Sequence, residues 1–191
     1  MDLLLEKIRK SINLSAKASD YIQAIAKRMR IAKGVRLIEE GQMVRKSYFV
    51  LDGCLRSYCY SSDGKEHTLQ FAIKDWWISD FIAFYRNDKA VLNVECLIDS
   101  EILEFDSKDL ERLFVLFPEF QKFHKENLEN HIISLNKRIL NQLQLSASDR
   151  YELFINQYPD IHQYVPNYLI ASYLGITQQS LSRIKIETSR K

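Results

Sequence analysis

The sequence has few cysteines and glycines and no long apolar run. Its three cysteines, Cys54, Cys59 and Cys96, are an odd number in 191 residues. They are too few for a secreted domain held by disulfides, which favours a reducing, cytoplasmic compartment. Nowhere do eighteen apolar residues follow one another, so no transmembrane helix is predicted, and the charged start MDLLLEKIRK lacks the apolar segment of a signal peptide. With five glycines, a loop that cradles nucleotide phosphates is not expected.

Charge is unevenly distributed along the chain. Residues 1–36 carry nine Lys/Arg and three Asp/Glu, whereas residues 37–145 carry thirteen and eighteen. Residues 146–191 carry five and four. An acidic middle is a poor surface for a phosphate backbone. Any contact with nucleic acid is therefore expected from a local feature near one end of the chain.

The spacing of apolar residues divides the chain into helical and extended parts. Residues 3 to about 30 show helical spacing with a break near residues 13–19. Between residues 35 and 105, short runs of β-branched and aromatic residues alternate with turn signals, which predicts an antiparallel sandwich or barrel. The clearest hairpin joins residues 55–60 and 66–73, with Gly64 at positive φ in the turn. We therefore predict an α+β protein with an N-terminal, jelly-roll-like antiparallel β-roll.

Helical spacing returns after residue 105. Ser107 is a candidate N-cap for a helix that must stop before Pro118, and Pro118 suits the start of a longer helix over residues 119–145. This long helix carries one apolar stripe of Ile133, Leu140 and Leu143, and a coiled-coil-like stripe of Leu128, Ile132, Leu135 and Ile139. We expect one stripe to pack on the sheet and the other to pair with a second copy. The alternative is that both pack within one molecule.

The C-terminal stretch VPNYLIASYLGITQQSLSRIKIE fits the template of a helix-turn-helix. Helices are predicted at residues 150–158 and 166–187, after a break at SASD. A small Ala171 lies where the two short helices of the motif cross, Gly175 suits the tight turn, and Thr177 is placed to cap the second helix. Gln can pair with adenine, and Arg with guanine or phosphate. The candidate DNA contacts are Thr177, Gln178, Gln179, Ser180, Ser182, Arg183 and Lys185. An ordinary helical hairpin with a polar face is the alternative.

Three parts of the chain follow from these patterns. Residues 1–117 form the predicted helices and β-roll, residues 118–145 the long dimerisation helix, and residues 146–191 the helix-turn-helix domain. A single short recognition helix covers few bases and binds weakly. A dimer that reads two half-sites about 34 Å apart would supply the missing affinity.

In this order of parts, nearly the whole chain resembles the Crp/Fnr family of bacterial transcription regulators. One stretch that carries the resemblance is LIEEGQMVRKSYFVLDG, in which Gly41 and Gly53 stand twelve apart, as in the cyclic-nucleotide-binding β-roll signature. The other is LGITQQSLSRIK. The resemblance implies operator DNA, a second copy of the chain and RNA polymerase as partners. It also implies base and phosphate contacts by Gln178, Gln179 and Arg183.

The β-roll departs from the family pattern where a cyclic nucleotide would bind. Val44 stands where a small residue is expected and Ser47 where an apolar one is expected. Cyclic-nucleotide binders carry a Gly-Glu pair and then an Arg-Ser pair, but here Ser79-Asp80 occupies the first place and no Arg-Ser follows. Bulky Trp76 and Trp77 stand close by, so we expect no cyclic AMP and no other evident cofactor. A pocket for a different small effector would draw on Arg56, Phe71, Ser79, Asp80, Lys89 and Asn136, each of which could instead be core or plain surface.

The end of the sequence is also short for this family. Many members continue into a winged hairpin that contacts the DNA backbone, whereas here only a few residues follow the recognition helix. Either the protein is a short form without an evident wing, or the sequence is a trimmed piece of a longer one. In the short form, Arg190 and Lys191 would contact the DNA backbone instead.

Two other classes of function make different demands on the sequence. A metal-dependent enzyme needs converging ligands, but His67 lies on a strand, His124 and His131 stand two helical turns apart, and His162 lies in a late loop. Three cysteines do not suit a four-cysteine iron–sulfur cluster. We therefore expect no metal and no enzyme. The second class is an effector-binding or scaffold β-roll whose degenerate helix-turn-helix does not bind DNA.

Overall fold

The computed structural model describes residues 1–188 and shows an α+β protein; Arg190 and Lys191 lie outside the described residues. The helices are α1 (Asp2–Ser11), α2 (Ala16–Ile25), α3 (Phe81–Arg86), α4 (Ser107–Leu116), α5 (Glu119–Gln144), α6 (Ala147–Gln157), α7 (Asn167–Leu174) and α8 (Gln178–Thr188). The strands are β1 (Lys27–Ile31), β2 (Arg36–Ile38), β3 (Lys46–Asp52), β4 (Cys54–Tyr60), β5 (Glu66–Ile73), β6 (Trp77–Ile78), β7 (Asn93–Cys96) and β8 (Ser100–Asp106). The predicted fold class is confirmed.

The strands form two four-stranded sheets, in the orders β1-β8-β3-β6 and β2-β7-β4-β5. Their apolar side chains share one core with α1, α2 and α4. The predicted hairpin is present as β4 and β5, with Gly64 at φ +79° in its turn. Gly53 lies at φ +99°, where a Cβ would come within 2.2 Å of Ser100 Oγ. Only glycine therefore fits this turn of the β-roll signature.

The chain forms two compact units. The first contains residues 1–59 and 70–129, and the second contains residues 60–69 together with the chain from Asn130 onward. The far end of the β4–β5 hairpin thus belongs with the C-terminal helices, and α5 contributes to both units. The sequence patterns predict boundaries at residues 117 and 145 instead. The association of this hairpin end with the C-terminal helices cannot be predicted from residue spacing, because the two segments are far apart in the sequence.

Three local expectations were wrong. The N-terminal helices end at Ile25, and β1 follows as a strand paired with β8, from Lys27 opposite Glu104 to Ile31 opposite Ser100. The N-cap of α4 is Asp106, whose carboxylate accepts from the Lys108 amide, and not Ser107. The break between α5 and α6 is shorter than predicted, because α6 begins at Ala147 within the SASD stretch and not near Arg150. There, Ser146 and Asp149 form a capping box.

Candidate nucleic-acid interface and effector site

The C-terminal helices α7 and α8 have the local geometry of a helix-turn-helix. Gly175 ends α7 in the left-handed region at φ +68° and ψ +34°, where a side chain would be strained. The Ile176 amide donates to the Ala171 carbonyl oxygen at 3.0 Å, and Ala171 is buried. Leu181 and Ile184 are the buried residues of α8. The crossing and the turn predicted from Ala171 and Gly175 are both present.

Some of the predicted DNA-contact residues are already engaged within the unit. Thr177 Oγ1 accepts from the Ser180 amide at 3.1 Å and lies 2.9 Å from Ser180 Oγ, so Thr177 caps α8 as predicted. Lys185 Nζ donates to Asn167 Oδ1 at 3.1 Å. These three side chains therefore help to build the motif.

The other four predicted residues form an exposed polar group on α8. They are Gln178, Gln179, Ser182 and Arg183, and all four are exposed. None has a hydrogen-bond or ion-pair partner among residues 1–188. With two amides, a hydroxyl and a guanidinium directed at no protein group, this surface can hydrogen-bond to base edges and phosphates.

Within the second unit, two side chains that the sequence patterns do not predict connect the helix-turn-helix to the end of the β4–β5 hairpin. Ser172 Oγ accepts from the Thr68 amide and donates to the Glu66 carbonyl oxygen, both at 2.9 Å. Arg138 of α5 donates to the carbonyl oxygens of Leu69, Thr68 and Tyr173. No spacing rule singles out Ser172 or Arg138, since their partners are separated from them by many residues.

The stripes on α5 remain largely exposed in the protomer. In the predicted dimer stripe, the exposed fractions are 55% for Ile132, 40% for Leu135 and 55% for Ile139, whereas Leu128 is partly buried. The members of the second stripe, Ile133, Leu140 and Leu143, are 50%, 50% and 78% exposed. The expectation that one stripe is buried within the protomer is wrong. So is the alternative that both are.

In the β-roll, Asp80 is a fully buried carboxylate with local partners. It is the N-cap of α3, and Oδ1 accepts from the Ala83 amide at 3.1 Å. Oδ2 accepts from the amides of Val91 and Leu92 at 2.7 and 2.9 Å. The neighbouring Ser79 is also buried and donates to the Lys46 carbonyl oxygen at 2.8 Å. Both side chains thus hold the loop at the predicted effector site.

The remaining candidates for the effector pocket differ in burial. Arg56 is buried, donates to Glu95 Oε1 at 2.7 Å and lies 3.9 Å over the Tyr58 ring. Phe71 is fully buried. Lys89 and Asn136 are exposed, and Asn136 belongs to the second unit.

The partly buried indole of Trp77 packs against the core close to this loop. The Trp77 ring lies 5.2 Å from that of Phe49 and 5.3 Å from that of Phe105. Trp77 thus occupies space between two core aromatic rings, and it is held there by both.

The cysteines and two of the histidines, His124 and His131, are buried or partly buried, whereas His67 and His162 are exposed. All three cysteines are free, and burial raises the pKa of Cys54 to about 12 and of Cys96 to about 11. Burial also lowers the pKa of His124 and His131. Within residues 1–188 no three His, Cys, Asp or Glu side chains lie together as a metal site would require. No helix in the same range is long and apolar enough to cross a membrane.

Comparison with known proteins identifies the type of chain. Residues 28–115 match the family model of the cyclic nucleotide-binding domain. The curated Anaerobic regulatory protein of Bacillus subtilis (strain 168) is 21% identical over 189 residues, which covers 93% of this chain and 79% of the relative. Over most of its length the chain is thus similar to transcription regulators of the Crp/Fnr type. The resemblance noted in the sequence is therefore confirmed.

Solved structures share the fold of this chain. FixK2 from Bradyrhizobium japonicum matches with a TM-score of 0.75 at 17% identity, covering 87% of this chain and 85% of that one. The regulator CLP of Xanthomonas campestris, described as responsive to c-di-GMP, matches with a TM-score of 0.71 at 15% identity and 92% coverage of both chains. The relatives are transcription regulators, not enzymes.

Proposed function

We propose that this Crp/Fnr-type protein is a cytoplasmic homodimer that binds specific DNA sequences and regulates transcription, with RNA polymerase as a further partner. The observation that carries the proposal is the exposed polar group on α8, formed by Gln178, Gln179, Ser182 and Arg183. A helix this size enters a major groove, and these side chains match its donors and acceptors. The buried Leu181 and Ile184 keep the opposite side of α8 on the protein.

Dimerisation is supported by the apolar stripe on α5. Ile132, Leu135 and Ile139 follow one another at steps of three and four residues, and each is 40–55% exposed. Three large aliphatic side chains in contact with water are costly, and pairing with the same helix of a second copy would remove them from water. Two copies of α8 would then face two half-sites.

The effector of the β-roll is a small molecule other than cyclic AMP. At the expected phosphate site, Asp80 presents a carboxylate whose oxygens already accept from three backbone amides. A second negative charge placed beside it would be repelled. The buried guanidinium of Arg56 is neutralised by Glu95. Lys89 is exposed nearby, but its ammonium is a single point charge and does not reproduce the bidentate hydrogen bonds of the missing arginine clamp.

Binding to duplex DNA at several salt concentrations tests the proposal. After selection of bound sequences from a random pool, the affinity for the selected site is expected to fall steeply with salt. Each neutralised phosphate contributes about −0.9 to the slope of log K against log salt concentration. A mixed-sequence duplex is expected to bind far more weakly.

The scaffold alternative predicts a different outcome. The C-terminal residues 146–191 carry five Lys/Arg against four Asp/Glu, which leaves room for a helix-turn-helix that has lost its affinity for DNA. A flat salt response, with no sequence enriched by the selection, would support that alternative and contradict ours.

A further inference from the structure

A cavity of about 430 Å³, partly open to solvent, lies within the second unit between α5, α6 and α7. Its lining includes the cations Lys137, Arg138 and Arg150 and the aromatic rings of Phe154 and Tyr173. Four amide side chains also line it, and no Asp or Glu does. A cavity of this size with three positive charges and no negative one is unusual for a region that serves packing alone.

Both arginines keep donors that no protein atom accepts. The Nε–H groups of Arg138 and Arg150 are buried and have no hydrogen-bond partner among the described residues. In Arg150 only Nη1 is engaged, by the Leu145 carbonyl oxygen at 2.8 Å. Its Nε and Nη2 form the edge of the guanidinium that matches an oxyanion with two parallel hydrogen bonds.

We propose that this cavity binds a small molecule that carries a phosphate group. A phosphate would supply a negative charge to pair with the three cations and acceptor oxygens for the two Nε–H groups. The rings of Phe154 and Tyr173 offer an apolar wall for the rest of the ligand. The cavity volume lies within the range of small-molecule sites.

The recessed position of the donors favours a small molecule over the DNA backbone. Both Nε–H groups are buried, whereas the exposed residues proposed to contact DNA lie on α8. Neither Arg138 nor Arg150 is on that helix. The site does not depend on DNA binding by the protein.

Titration calorimetry of the full chain with inorganic pyrophosphate, at constant ionic strength, tests the proposal. We expect one saturable site per chain. Arg150→Met removes the unpartnered edge and is expected to weaken binding at least tenfold. Arg150→Lys keeps the charge but lacks the two parallel donors, so it is expected to weaken binding at least threefold. If Arg150→Met fails to fold, Arg150→Lys still tests the site, because it keeps the positive charge.

The control is Arg112→Met, which removes an exposed arginine of α4 in the other unit. It is expected to bind pyrophosphate like the unaltered protein. Equal affinity in the unaltered protein, Arg150→Lys and Arg150→Met would overturn the proposal. So would a loss of duplex affinity in Arg150→Met without any pyrophosphate binding, since the cations would then serve the DNA backbone. If the protein binds pyrophosphate but not DNA, the phosphate site is supported and only the proposed function as a DNA-binding regulator is contradicted.

Discussion

The guanidinium carbon of Arg138 lies 4.0 Å from the centre of the Tyr173 ring, and Nη2 of the same side chain donates to the Tyr173 carbonyl oxygen at 2.7 Å. The same Nη2 also donates to the Thr68 carbonyl oxygen at 3.0 Å. Burial lowers the pKa of Arg138. One cation of α5 therefore holds the end of α7 and strand β5 together within the second unit.

Replacing Arg138 tests this brace. Arg138→Met keeps an aliphatic side chain but leaves the carbonyl oxygens of Thr68, Leu69 and Tyr173 without that donor. We expect the free energy of unfolding, measured in urea, to fall by about 2–4 kcal/mol. The exposed Arg112→Met is expected to change it by less than about 0.5 kcal/mol. Equal effects of the two changes would show that the brace adds no stability.

Asp80 is expected to matter for stability. Asp80→Ala removes the acceptor of the buried Ala83 amide and of the partly buried amides of Val91 and Leu92, which should lower the free energy of unfolding by about 3 kcal/mol. Asp88→Ala, in the exposed loop after α3, is the matched control. If thermal or urea melts give the two variants the same stability, the Asp80 carboxylate does not stabilise this loop.

The stripe on α5 predicts how the oligomeric state responds to charge. Leu135→Glu places a carboxylate in the middle of the proposed helix pair, where desolvation opposes pairing. We expect sedimentation velocity to show a monomer at micromolar concentrations at which the unaltered chain is a dimer. Val115→Glu introduces the same charge at an apolar residue of α4 that is 78% exposed, and it should remain dimeric. A dimer in both variants would refute the proposed interface.

Arg183 is the cation in the exposed group on α8. If it contacts guanine or phosphate, Arg183→Ala should weaken binding to the selected DNA by about 1–3 kcal/mol, or about 5- to 150-fold, in a fluorescence anisotropy titration. The folded unit should be unaffected, because Arg183 has no protein partner within residues 1–188. Unchanged affinity and unchanged sequence preference would remove Arg183 from the contact set.

Two partly buried histidines predict a dependence of stability on pH. Burial lowers the pKa of His124 and His131 from 6.5 in the folded protein. Below about pH 6.5 the unfolded chain therefore binds protons that the folded chain does not, so the free energy of unfolding should fall as the pH drops toward the folded pKa values. Urea melts at pH 5.0, 6.0 and 7.5 measure this slope. His124→Gln should reduce it, and an unaltered slope would contradict the assignment.

The sequence predicts those features that depend on neighbours in the chain. The alternation of apolar residues marks the β4–β5 hairpin, and Gly64 marks its turn, since strand period and turn chemistry are local properties. For the same reason Ala171, Gly175 and Thr177 identify the helix-turn-helix. Strand β1 is not predicted in this way, because it is stabilised by pairing with β8, about seventy residues further along the chain.

For this protein the linear order of residues determines the β-roll, the long helix and the polar group on α8. Only the tertiary structure decided that Asp80 holds its own loop and that Arg138 braces α7. It also decided that Arg138 and Arg150 share one cavity. A hydrogen bond or a cavity joins residues that the folded backbone brings close, and no periodicity along the chain encodes that proximity.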